Sequence, residues 1–122
     1  MSVITSFEEI ESWKTARKLT KEIYMMSQTG TLSKDWGLKD QMRRASVSAM
    51  ANIAEGFGRR SDKEFMQFLT IARGSTEEVI SHLYVAFDCK HIDEKEFLRL
   101  KALGIEVRNK IGGFIRYLES QT

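Results

Sequence analysis

The sequence predicts an all-α protein, a left-handed up-and-down antiparallel four-helix bundle forming a single domain over residues 1–122, and three observations carry that expectation. The 122 residues include no proline, so nothing in the covalent backbone bars long uninterrupted helices. Apolar residues recur at steps of three and four through four long segments, the period of an amphipathic helix. The breaks between those segments hold glycines and capping residues, the punctuation that ends one helix and starts the next. A chain of this length closes a hydrophobic core without staples.

The first helix is expected from about Glu8 to Ser27, where Ile10, Trp13, Ala16, Leu19 and Ile23 form one stripe and Lys14, Arg17, Lys18 and Lys21 lie between them. Ser6 followed by Glu9 matches a capping box, and Thr29-Gly30-Thr31 supplies the stop. The second helix runs from about Leu38 to Phe57. It has an apolar face of Leu38, Met42, Ala45, Ala49, Ile53 and Phe57 and a polar stripe of Gln41, Ser48, Asn52 and Glu55. Small residues dominate its centre, Ala45 to Ala51, which predicts a close approach by another helix.

Gly56 and Gly58 are expected to end that helix through left-handed backbone angles, and Ser61 with Glu64 restarts the chain as a capping box. A helix hairpin follows. The third helix, about Asp62 to Lys90, buries Phe65, Phe68, Leu69, Ala72, Val79, Leu83, Ala86 and Phe87. Gly74 in its middle is read as a contact point between backbones, opposite Ala45, because a helix-interior glycine otherwise costs about 1 kcal/mol relative to alanine. Asp93 with Glu96 caps a fourth helix in which Phe97, Leu100, Gly104, Val107, Ile111, Phe114 and Leu118 make a seam resembling that of a coiled coil.

Composition narrows the function. The single cysteine, Cys89, cannot make an internal disulfide and is read as a small core filler. With no basic-then-apolar leader pattern at the amino terminus, the expected location is cytoplasmic. No apolar run approaches the roughly 20 residues a membrane-spanning helix needs, so no membrane contact is expected. The net charge of +2 is mild. Its distribution is not even: residues 38–75 carry seven Lys and Arg against four Asp and Glu. The excess surrounds the glycine turn, and a symmetric oligomer would repeat it around its axis.

Catalytic chemistry is not expected. A two-metal bundle site requires two Glu-x-x-His pairs, whereas this chain has only His82 and His91, so no metal or cofactor is expected and both histidines are read as structural or solvated. Neither lies on the helix that carries Ser46 and Ser48, so no serine there is paired with a base. Gly56 to Ser61 lacks the spacing of a phosphate loop. The remaining candidates are basic: Arg59, Arg60, Lys63 and Arg43 for nucleic-acid backbone, and Arg44, Asn52, Glu55 and Arg73 for contacts between subunits. Guanidinium groups near a helix N-terminus make a good phosphate site, and the competing reading is a solvated charged face. Arg44 and Arg73 are alternatively expected to pair with Glu55 or Asp40, within a subunit or between subunits. Phe57 is the nearest aromatic and is expected to pack.

The segments Trp36-Gly37-Leu38, Gln41-Met42-Arg43-Arg44-Ala45 with Val47-Ser48, Asn52 to Arg59, Lys63-Glu64-Phe65, Phe68-Leu69 with Ile71-Ala72 and Gly74-Ser75, and Glu77-Glu78 together resemble the four-helix bundle proteins encoded by intervening sequences of bacterial 23S ribosomal RNA genes, the S23 ribosomal protein family. Phe7, Trp13-Lys14 and Ala16 extend the resemblance into the first helix, so it covers nearly the whole chain. It implies a homopentameric ring, similar to the accessory variability determinant of diversity-generating retroelements, which works with a reverse transcriptase and nucleic acid. RNA or DNA, a protein such as a polymerase, and the chain itself are the partners the resemblance admits. The chain departs from the family pattern at Lys34-Asp35 and Ala49-Met50-Ala51.

Overall fold

The computed structural model describes residues 3–121. Its four helices are α1 (Glu11–Ser27), α2 (Trp36–Phe57), α3 (Asp62–Asp88) and α4 (Glu94–Ser120), with single 3-10 turns at Phe7–Glu9 and Thr31–Lys34. Each helix packs on its neighbours in sequence and α1 closes on α4, while the diagonal pairs barely touch. That is the square section of an up-down-up-down bundle.

The predicted stripes meet on the bundle axis. Leu19, Ile23, Met42, Ile53, Leu69, Leu83, Leu100 and Ile111 are among the fully buried side chains, each stabilising the fold by about 1.5–3 kcal/mol through burial alone. Small side chains let α2 and α3 approach closely: Ser48 Oγ and Ser75 Oγ are hydrogen-bonded across the interface at 2.8 Å. On the other flank of α2, Thr20 Oγ1 donates to Ser46 O at 3.0 Å and ties α1 to it. Arg99 bridges Glu22 on α1 and Glu96 on α4, closing the square.

The helix ends follow local chemistry with some shifts. Ser61 Oγ accepts from Glu64 N at 3.2 Å and Asp93 Oδ1 from Glu96 N at 2.8 Å, so both N-caps are in place, without the return bond from Glu64 that a capping box at Ser61 would add. Ser6 and Glu9 cap only the first 3-10 turn, whose Glu9 carboxylate accepts from Thr5 N and Ser6 N at 3.0 Å each. The first helix therefore begins at Glu11 rather than at Glu8. The second begins two residues before the expected Leu38, because Asp35 Oδ1 accepts from Leu38 N at 3.2 Å and caps it.

Three expectations about single residues are corrected. Cys89 is exposed at the C-cap of α3, not in the core. Gly58 has φ −79° and Gly56 lies within α2, so neither supplies a left-handed angle. What Gly56 supplies is room: a Cβ there would stand 2.6 Å from Phe68 Cβ and 2.9 Å from Phe65 Cδ1. The left-handed positions of the described chain are Gly30 at φ 61° and Lys90 at φ 62°, after the ends of α1 and α3.

Gly74 is the third correction. It is exposed, and a Cβ added there meets nothing within 4 Å, so it is no contact point within the bundle. Gly74→Ala is expected to raise the unfolding free energy by about 1 kcal/mol, the helix-propensity difference. A urea titration measures it as a higher midpoint at unchanged slope.

Candidate nucleic-acid interface

The turn between α2 and α3 is built from the end of one helix and the cap of the next. The amides of Gly58 and Arg59 bond back to Glu55 O and Gly56 O at 3.1 Å each, and Ser61 then caps α3. Four residues between helices, Gly58 to Ser61, leave no depth to bury a long side chain. Arg59, Arg60 and Lys63 are all exposed.

The three cations differ in what holds them. Arg59 Nη2 bonds Glu55 Oε1 at 2.8 Å and its guanidinium lies 4.7 Å from the centroid of the Phe68 ring. An exposed i,i+4 pair of this kind is worth about 0.3–0.5 kcal/mol, so it costs little to break. Among the described residues Arg60 and Lys63 have no carboxylate partner. Asp62 and Glu64 lie in the first turn of α3, where negative charge favours the helix end. They also lower the positive potential around Arg60 and Lys63.

Arg43 does not join this group. It stands on α2, 14 positions before the helix ends at Phe57, about 21 Å from that end at the α-helical rise. Its Nε donates to Ser27 Oγ at 2.9 Å, its Nη2 to Tyr24 O at 3.4 Å, and its guanidinium sits 4.4 Å from the centroid of the Tyr24 ring. Arg43 thus fastens α2 to the carboxyl end of α1, where a cation also meets the helix dipole.

Of the residues expected between subunits, Arg44 pairs with Asp40 at 2.8 Å in its own helix, which raises the arginine's pKa first through that hydrogen bond. Glu55 is taken by Arg59. Asn52 is half-buried, its amide donating to Ser48 O at 2.8 Å and Ser48 Oγ at 3.1 Å. Arg44 lines a shallow groove between α2 and α3 with Gln41, Ala45, Ser48, Ser75 and Glu78. Arg73 lies four and seven positions before Glu77 and Ile80, whose side chains meet Arg108 and Gly104 of α4. It therefore sits on the other flank of α3, and the four residues do not form one patch.

Two features of the ends escaped the sequence reading. One lies beside the turn, where the end of α4 and the amino-terminal segment enclose a cleft of about 670 Å³ against Phe57, Arg59 and Arg60. The other lies at the opposite end, where Thr31 Oγ1, His91 and Asp35 form a hydrogen-bonded chain, 2.7 Å to Nδ1 and 3.1 Å from Nε2 to Oδ2. These are the groups of an acyl-transfer triad, but Asp35 is also the cap of α2. Here the trio latches the loop after α3 to the loop before α2.

The latch makes acid sensitivity testable. The Leu38 amide, and after it His91, hold the Asp35 carboxyl below the usual carboxylate range. Its contribution to stability is present above the unfolded pKa and is lost as pH falls through the folded one. Asp35→Asn, which keeps the cap, is expected to lower the urea midpoint at pH 7, and the gap from the parent protein should close as pH falls from 5 towards 3. A gap independent of pH would contradict this assignment. His82 adds to the same trend at higher pH. It is half-buried, its Nδ1 has no partner among the described residues, and burial pulls its pKa down against the opposing charge of Glu78. Its share of stability is lost as pH falls below the ordinary imidazole value.

No three His, Cys, Asp or Glu side chains converge as a metal site among the described residues. No described helix is long and apolar enough to cross a membrane. The fold and the turn together define an all-helical hairpin bundle that presents cations at one end. The chain belongs to the 23S rRNA-intervening sequence protein family, whose model matches residues 8–113. It is similar to a crystal structure of a protein of unknown function from the S23 ribosomal protein family of Bacteroides thetaiotaomicron VPI-5482. The two share 19% identity with a TM-score of 0.78 over 85% of this chain and 97% of that one. No curated protein is similar enough in sequence to count as a match.

Proposed function

We propose that this protein is a non-enzymatic oligomer, in the expected form a homopentamer of the cytoplasm, that binds the backbone of RNA or DNA through Arg59, Arg60 and Lys63. The observation that carries this reading is the turn itself, which holds three exposed cations, two of them without carboxylate partners among the described residues. Repetition around a symmetry axis multiplies a weak cationic site into a useful one. The test is the particle mass in solution with and without mixed RNA and DNA oligonucleotides. A multimer that gains mass with either supports the reading, and a monomer with unchanged mass contradicts it.

The alternative is a protein-interaction scaffold, for instance for a reverse transcriptase or another polymerase, with the basic residues of the middle helices serving subunit contacts. Arg44 also lines a groove with exposed Val47 and with Tyr24 of α1, and Ile71 on α3 is exposed too, which favours a covered face on the middle helices. On this reading Arg44→Glu dissolves the oligomer, because it reverses charge beside Asp40 at the joint. A ring of unchanged mass in that variant would count against it.

A further inference from the structure

A contact confined to phosphates leaves the cleft beside the turn without a role. Phe57, Phe65, Phe114 and Tyr117 run along it as a chain of rings, with successive centroids 6.0, 5.2 and 6.3 Å apart. Tyr117 is 48% exposed and Val3 79%, so apolar surface faces water inside a concavity rather than on a convex side. The rim carries Arg59, Arg60, Ser61 and Asp62. An apolar, ring-lined hollow with cations at its edge suits a ligand that has a flat π-face and a negative group a short distance away.

A nucleotide in a single strand has that form. Every base offers a face for stacking on an aromatic side chain, and the phosphate follows one sugar later. In a duplex both faces are covered by neighbouring base pairs, so no base is free to enter without being extruded. Asp62 repels phosphate on its side of the rim, which leaves the Arg60 side for the backbone.

We propose that the cleft takes one unstacked base of a single strand, with the Tyr117 ring as its platform and Arg60 on the adjacent phosphate. The inference rests on the backbone-binding reading and adds strand type to it. Arg59 and Arg60 alone would hold duplex and single strand alike. With the cleft engaged, the single strand binds more tightly.

The probes are a thymine-flanked oligonucleotide with one 2-aminopurine and a blunt-ended duplex in which the same base is paired, both titrated into the full-length protein. The expected results are about tenfold tighter binding of the single strand, the lower part of the range for one stacked base, and a 2-aminopurine fluorescence change that follows occupancy. Tyr117→Ala should remove that preference and that change while leaving duplex affinity as it was. Tyr117→Phe should keep both. Equal affinity for the two probes, or a Tyr117→Ala variant that keeps the fluorescence change, overturns the cleft assignment while backbone binding stands. Binding of neither probe overturns both.

Discussion

Gly56→Val is expected to lower the unfolding free energy by about 3 kcal/mol, the upper part of the ordinary range for forcing extra carbon into a packed site. The reason is geometric. Even one added carbon would lie 2.6 Å from Phe68 Cβ, an atom fixed by its own backbone, and 2.9 Å from the Phe65 ring. Neither neighbour is the tip of a mobile side chain, so α2 and α3 must separate where they converge on the turn. Valine adds two methyl groups beyond that and stiffens χ1 in the helix. Chemical denaturation would read the change as a lower midpoint. The same assay should move the opposite way for Gly74→Ala, so one experiment separates a glycine held for space from one that packing does not require. A Gly56→Val protein as stable as its parent would mean that the two helices do not meet as described.

The second large effect concerns binding. Arg59→Glu combined with Arg60→Glu replaces two positive charges by two negative ones at the exposed turn. Each phosphate contact contributes about 0.7 to the slope of log affinity against log salt for single strands and about 0.9 for duplex DNA. Losing two contacts should lower the slope by about 1.4–1.8 for each turn engaged, and affinity at low salt should fall roughly a hundredfold. Fold stability should change by only about 0.5 kcal/mol, as expected for exposed positions. The loss of the Glu55 pair accounts for most of that. Unchanged affinity in this variant would assign nucleic-acid contact to another face.

The four helices were legible because periodicity is local: Ile10, Leu19 and Ile23, or Leu100, Val107 and Ile111, reach the axis by their spacing. Caps were legible for the same reason at Ser61 and Asp93. Gly74 was misjudged when close packing was preferred to its place on the helix. It follows Ala72 by two residues and precedes Thr76 by two, so it points away from both buried neighbours. Gly56 was given the wrong reason because a glycine near a helix end suits either a left-handed angle or a close contact, and only the facing Phe68 decides between them. The Thr31, His91 and Asp35 chain joins positions 60 and 56 apart and leaves no local pattern. The cleft is equally non-local: Tyr117 and Phe114 come from the far end of the chain to stand beside Phe57 and Arg60.

Of the candidate site, the outward placement of Arg59 and Arg60 could be read from the shortness of their turn. The engagement of Arg43 with Tyr24 and Ser27 could not, since it depends on how far α1 extends past its neighbour. The separation of Arg73 from Arg44 likewise depends on which flank of α3 meets α4.

Contact between the α2–α3 turn and phosphate is read from a titration of the native protein with a labelled single-stranded oligonucleotide at several salt concentrations. Affinity should fall linearly in log–log form, with a slope that the Arg59→Glu, Arg60→Glu variant reduces. Binding that is indifferent to salt, or no binding at all in dilute buffer, would contradict it.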